Sequence, residues 1–198
     1  MKAAEPAPPT PLAVTGDPDA DALLNEHPFA LLLGMLLDQQ VPMEWAFRGP
    51  HTLAGRLGSV DPAALVAGGP DAFEAAFAAK PALHRFPGSM GKRAWALAEH
   101  VVEHYGGDAA AIWRDAPTGA DLYTRLRALP GYGDEKAKIF VAILAKRFGV
   151  RPPGWDAAAG PFADATPRSV ADIDGPDALA RVREWKKLQK AKGKSKQD

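Results

Sequence analysis

"LPGYGDEKAKIF", residues 129–140, sets two glycines around one tyrosine between two helical patterns. Leu129, Pro130 and Gly131 end the first pattern. Gly133 opens the second, with Lys136 and Lys138 just inside it. Glycine loses more conformational freedom on folding than any other residue, so a pair of them needs a positive φ or a close backbone approach as its reason. A Pro-Gly-Tyr-Gly loop lets two helices meet at a tight angle. It also leaves the first-turn N–H groups of the second helix facing outward. Those donors and the helix dipole make an anion site, the missing Cβ atoms of Gly131 and Gly133 open it to a phosphate, and Lys136 and Lys138 add positive charge. Turn chemistry between two packed helices accounts for the same glycines.

Outward from this loop the signals are almost all helical. Asp17-Pro18 reads as an N-cap with Pro at the first helical position, and "DPAALVA" repeats it at Asp61. "HPFALLLGMLLDQQ", residues 27–40, is apolar nearly all round and predicts a buried central helix. "PMEWAFRGPHTLAGRLG" carries a break at Gly49-Pro50. Phe73 and Phe77 fall at i, i+4, and Ala94, Leu97, Ala98, Val101 and Val102 form a stripe that stops at Gly106-Gly107. Short helices capped near Asp108 and Thr118 follow, then "DEKAKIFVAILAKRFG" and a basic final helix. No strand alternation and no internal repeat stand out. The expectation is an all-α fold of about nine or ten short helices.

Bulk properties narrow the class. The chain has 198 residues, of which 46% are hydrophobic, enough for one compact domain or two small lobes. Its longest apolar run, "FALLLGMLL", is too short to span a bilayer. Residues 1–16 read as a Pro/Ala-rich disordered lead without a signal peptide's apolar core. With no cysteine there is no disulfide, thiolate zinc site or cysteine-ligated Fe–S cluster. These readings point to the cytoplasm, at the bacterial nucleoid. The 24 Lys and Arg balance the 24 Asp and Glu, but unevenly: residues 181–198 hold eight bases and two acids. The sequence reading sets residues 186–198 apart as a basic tail, suited to a polyanion or else a solvated end.

The loop resembles the helix-hairpin-helix motif of the endonuclease III and AlkA superfamily of base-excision DNA glycosylases. Two further blocks agree in order. "LLGMLLDQQVPM", residues 32–43, is similar to that superfamily's early helix, which ends in a Gln-rich segment at the DNA minor groove. "FPGSMGKRAWALAEHV", residues 86–101, resembles the helix that precedes the hairpin region. The resemblance covers roughly residues 20–160. It implies a two-lobed domain over residues 17–185, with a central helical lobe from about 30 to 130 and a second lobe from 17–29 plus 131–185. An extruded nucleotide would enter the cleft between lobes, since chemistry on a base takes it out of the stack. The partner would be double-stranded DNA holding a damaged base, and the protein would act as a monomer off the membrane. The resemblance leaves no cofactor except a monovalent cation on the hairpin carbonyls.

Site residues carry over position by position. Gly131, Tyr132, Gly133, Lys136 and Lys138 become DNA contacts, joined by Lys92 and Arg93 of the third block. Gln40 aligns with the residue that fills the gap left by the flipped nucleotide, where an amide can bond the orphan base; Gln39 serves backbone bonding. Members with a strand-cleaving step have a lysine two residues after the second hairpin glycine. Here Glu135 stands there, and a one-residue step turns a side chain by about 100°, so Lys136 is expected at phosphate or solvent. A monofunctional glycosylase follows. The family's aspartate, about twenty residues past the hairpin, stabilises the cationic sugar. Asp156 lies 23 residues after Gly133 and could cap a short helix, although the family's flanking residues are missing. Asp164, Asp172 and Asp174 are fallbacks. His100 and His104, at i, i+4, read as an exposed face rather than a metal site, and Trp45, Trp95 and Trp113 as core. The alternative function is a non-catalytic DNA-binding protein that keeps the fold without the acid.

Overall fold

The computed structural model describes residues 9–197. It is helical, with no strand among the described residues. Eleven α-helices form among the described residues, against the nine or ten expected: α1 (Pro18–Glu26), α2 (Pro28–Leu37), α3 (Met43–Leu57), α4 (Pro62–Ala67), α5 (Pro70–Ala78), α6 (Pro87–Tyr105), α7 (Ala111–Arg114), α8 (Gly119–Arg127), α9 (Asp134–Arg147), α10 (Trp155–Ala159) and α11 (Pro176–Ala191). Two 3-10 turns, Gly160–Ala163 and Val170–Asp172, sit between α10 and α11. Caps set several starts: the Asp17 carboxylate accepts from the N–H groups of Asp19 and Ala20, and Asp61 accepts from Ala64 N–H.

α2 is the buried centre. Every residue from Phe29 to Leu37 is excluded from solvent. α3 lies across it at close range. A Cβ on Gly34 would stand 2.7 Å from Phe47 Cδ1, and one on Gly49 would stand 2.6 Å from Leu37 Cδ1. This contact explains why the expected break at Gly49-Pro50 is absent: α3 runs unbroken through Pro50, because packing on α2 holds the helix where one backbone bond is lost. α9 is the second buried element, with Ile139 to Ala145 all inside. One contiguous core joins Leu12 at one end to Val182 at the other. Phe73 and Phe77 stack at 5.6 Å, and Trp95 meets Phe73 edge-on at 5.5 Å. Trp95 and Trp113 pack against the core, but Trp45 is exposed at the start of α3.

Two expected boundaries shift. The disordered lead does not extend to residue 16; residues 1–8 lie outside the described residues. Leu12, Val14 and Thr15 are buried. Leu12 exchanges hydrogen bonds with the Asn25 side chain at 3.0 and 2.8 Å, and the Asp21 carboxylate accepts from Val14 and Thr15 N–H at 3.0 and 2.9 Å. Two apolar anchors in a Pro/Ala-rich run outweigh its composition, because each burial offsets the entropy of ordering its neighbours. The separate tail from residue 186 is also not seen. α11 continues to Ala191, and the chain then turns back to the first turn of α9, where Lys196 meets Glu135.

Candidate functional site

The 129–133 loop is locked onto the end of α2 by three contacts. Tyr132 is buried and donates its hydroxyl to Leu32 O at 2.7 Å. Gly131 adopts φ +80°, and a Cβ there would lie 2.4 Å from Leu36 Cδ1. Lys136 Nζ donates to Leu36 O at 2.5 Å. The last carbonyls of a helix lack intrahelical donors, and an ammonium there also meets the negative end of the dipole. Two sequence expectations change here. Tyr132 is a core residue, not a DNA contact; burial holds its phenol well above the ordinary tyrosine range. Lys136 points inward rather than to phosphate or solvent, because α9 packs its first turn against α2 and the long side chain reaches back to that helix end.

The turn after α2 is held just as specifically. Gln39 O accepts from His84 Nε2 at 2.9 Å, and His84 Nδ1 accepts from Phe86 N–H at 3.1 Å. One acceptor and one donor nitrogen define a neutral imidazole, and burial pushes His84 below its ordinary value in agreement. Arg93 NH1 donates to Gln39 Oε1 at 3.4 Å, so Arg93 and Gln39 brace the turn. Gln40 is exposed with φ +58°, the left-handed region that non-glycine residues rarely occupy. Such strain collects at functional sites.

Between this turn, the 131–136 segment and the C-terminal helix lies a cavity of about 660 Å³. Gln39, Gln40, Gly131, Gly133 and Lys136 all line it, which brings five of the sequence-predicted residues together. Met35, Val41, Pro42 and Met43 supply an apolar wall. Three carboxylates face it. Glu44 pairs with Arg183, and Glu135 pairs with Lys196 at 3.0 Å. Asp38, the third, has no hydrogen-bonding or ion-pair partner for its side chain among the described residues. Burial pushes the Asp38 carboxyl up from its usual range, while Lys186, Lys196 and Lys136 pull it partly back. Burial also lowers Lys186, whose Nζ lies 3.1 Å from Met43 Sδ, and brings Lys136 down to about 8.

The Lys136 value has a measurable consequence. Its folded pKa of about 8 lies below the unsupported value of 10.5, so folding disfavours the ammonium. That cost is fully present below pH 8 and is relieved as pH rises from 8 to 10.5. Wild-type stability should therefore rise relative to Lys136→Met by about 1–2 kcal/mol between pH 7 and 9.5. Urea unfolding of both proteins across that range measures it; a constant difference would mean the amine is not desolvated.

Other predicted residues stand apart. Asp156 is exposed within α10 and its side chain has no hydrogen bond among the described residues; Gly154 holds the cap position, so Asp156 does not cap the helix. It does not line the cavity. The fallback carboxylates have structural work instead. Asp172 pairs with Lys146 at 2.6 Å and closes a capping box with Ser169. Asp174 pairs with Arg147 at 3.2 Å, and Asp164 with Arg168 at 2.7 Å. Lys138 is tied to Asp134 at 3.0 Å and to Gln197 Oε1 at 3.3 Å, and Lys92 is exposed on α6. Gly133, exposed at φ −81°, has no atom within 4 Å of where a Cβ would stand.

Sequence reasoning missed Asp38, Arg183, Lys186 and Lys196. Asp38 was within the quoted "LLGMLLDQQVPM", next to the two glutamines. The lysines were legible only as net charge. The hairpin carbonyls do not fit a monovalent cation: Arg127 NH1 donates to Tyr132 O at 3.1 Å, and Leu129 O accepts from Tyr132 N–H at 3.1 Å. A guanidinium already holds positive charge against that loop. His100 and His104 stack at 4.1 Å, and among the described residues no three metal-ligating side chains gather. No helix of the described residues is long and apolar enough to cross a membrane. No family model, curated protein or solved structure matches the chain.

Proposed function

We propose that this protein is a base-excision DNA glycosylase that binds duplex DNA, takes one damaged nucleotide out of the stack and hydrolyses its N-glycosidic bond. The observation that carries this reading is the cavity itself. It joins the glycine loop, the strained Gln40 turn and a wall of cations in one concave site. About 660 Å³ lies in the range of small-ligand sites and accommodates a flipped nucleobase. The two-lobed helix-hairpin-helix organisation belongs to the same proposal: residues 35–44 line the cavity from one lobe, and residues 131–136 with 183–196 line it from the other. Gln40, exposed at the rim, fills the gap in the duplex. The N–H groups of Asp134, Glu135 and Lys136 begin α9 without intrahelical partners and face a phosphate past Gly133.

The reaction is taken as hydrolytic, because the Lys136 amine is engaged at Leu36 O. A second reading, with a strand-cleaving step through Lys136, is favoured by one observation: the amine sits in the cavity with its pKa at about 8. The test is a panel of duplexes, each carrying one lesion, incubated with excess protein at low salt and then treated with borohydride. The expected result is release of at least one lesion base, an intact strand at the resulting abasic site and no trapped adduct. A trapped adduct that disappears in Lys136→Met would favour the second reading. Duplex binding without release of any lesion would leave a non-catalytic DNA-binding protein.

A further inference from the structure

We infer that Asp38, not an aspartate downstream of the hairpin, is the catalytic carboxylate that faces the sugar of the extruded nucleotide. This inference rests on the glycosylase reading of the cavity. Three carboxylates line that cavity, and two are neutralised by their own ion pairs, Glu44 by Arg183 and Glu135 by Lys196. Only Asp38 keeps both oxygens free of protein partners among the described residues. The four candidates after the hairpin, Asp156, Asp164, Asp172 and Asp174, do not line the cavity, and the last three are committed to ion pairs.

Stability alone gives no reason for a carboxylate at this position. Asp38 is the C-cap of α2, where the carbonyl ends of the helix make the dipole negative and disfavour an anion. It is half-buried at the cavity wall, and among the described residues no group is hydrogen-bonded or ion-paired to its side chain. An unpaired, partly desolvated acid at the wrong end of a helix costs folding free energy, and such costs persist where function needs the group. The neighbouring backbone is strained in the same way, at Gln40.

The chemistry follows from position. The C1′–N bond breaks, and its electron pair leaves on the base nitrogen. The sugar becomes an oxocarbenium ion, which the Asp38 carboxylate stabilises from within a low-dielectric cavity. A water oxygen then bonds to C1′ and its proton passes to Asp38; Asp38 gives that proton up to solvent, from which the departing base nitrogen takes up one, so the carboxylate is restored. One water is consumed, and the products are an abasic sugar and a neutral free base. Lys136, Lys186 and Lys196 approach the same space from α9, α11 and the C-terminal segment, and favour the ionised form of Asp38.

The experiment has two arms, both on the full chain. In the first, Asp38→Asn and Asp156→Asn are compared with wild type in single-turnover release of whichever lesion base the wild type removes. Asp38→Asn should lose ~10²–10³ in rate while Asp156→Asn stays within a few-fold. Its melting temperature should be equal or higher, since the substitution relieves an unpaired charge. The second arm needs no lesion. Binding is measured to one duplex carrying a pyrrolidine abasic analogue, cationic like the transition state, and to another carrying neutral tetrahydrofuran. Wild type should prefer the cationic duplex by about tenfold or more, and Asp38→Asn should lose that preference. Full release by Asp38→Asn, or a cationic preference lost in Asp156→Asn instead, overturns the assignment to Asp38 and leaves the glycosylase reading standing. Absence of binding to either duplex overturns both.

Discussion

Replacing Gly131 with valine should lower the melting temperature by roughly 10 °C and loosen the whole site. Gly131 sits at φ +80°, where a side chain other than glycine's costs about 1–2 kcal/mol. The new Cβ would also stand 2.4 Å from Leu36 Cδ1, and Leu36 is buried in the packed core. Overpacking such a contact costs about 1–3 kcal/mol. Together these give about 3–4 kcal/mol, and a domain of this size loses roughly 2–4 °C per kcal/mol. The clash is at the contact that registers the loop on α2, so Tyr132 OH to Leu32 O and Lys136 Nζ to Leu36 O are strained with it. Thermal unfolding by circular dichroism reads the effect. A variant as stable as wild type would mean that the loop is not seated on Leu36.

Gly133→Val should do the opposite: keep the fold and lose the nucleic acid. Gly133 has φ −81° and ψ 179°, ordinary extended backbone, and no atom stands within 4 Å of its Cβ position. A valine fits the protein without strain. It would fill the space through which, on the proposed function, a phosphate reaches the first-turn amides of α9. Hydrogen bonds to a charged group contribute about 1.5–3 kcal/mol each, so losing one should weaken duplex binding by roughly ten- to a hundredfold. Fluorescence anisotropy with a labelled duplex at low salt measures this, beside a melting curve that should barely move. Normal duplex binding by the folded variant would remove this loop from the interface. The two glycines on either side of Tyr132 therefore have separable environments: a close approach to Leu36 at the first, and at the second open space, which the proposed function gives to a phosphate.

The C-terminal segment changes how the site is understood. Read as charge, it was a basic tail on an acidic body. Folded, it lends Arg183, Lys186 and Lys196 to the cavity wall, and its end is pinned by Arg168 NH1 on Lys196 O at 3.2 Å and by Lys138 on Gln197. Truncation at residue 185 would remove two of the cavity's four cations, Lys186 and Lys196, and would cut α11 part-way along.

The sequence by itself determined the helical class, because apolar periodicity, Asp-Pro starts and glycine stops act over one or two turns of chain. It determined α2 as the buried centre, since a helix apolar all round has nowhere else to go. It also marked the loop around Tyr132 and the Gln39-Gln40 turn as the unusual places, since glycines and amides at helix ends are local signals. Tertiary structure decided the rest. Whether Pro50 breaks a helix depended on α2 lying against α3, and whether residues 9–16 are ordered depended on Asn25 and Asp21. Which aspartate faces the cavity could not be counted from the hairpin, because α10 packs on α8 and α9 and Asp156 does not line the cavity, whereas the end of α2 brings Asp38 to it. The direction of Lys136 was misjudged for a related reason. Helical phase gives the angle of a Cβ, but a four-carbon side chain goes where an unpaired carbonyl and a neighbouring carboxylate draw it, and only the seating of α9 on α2 placed Leu36 O and Asp38 within its surroundings.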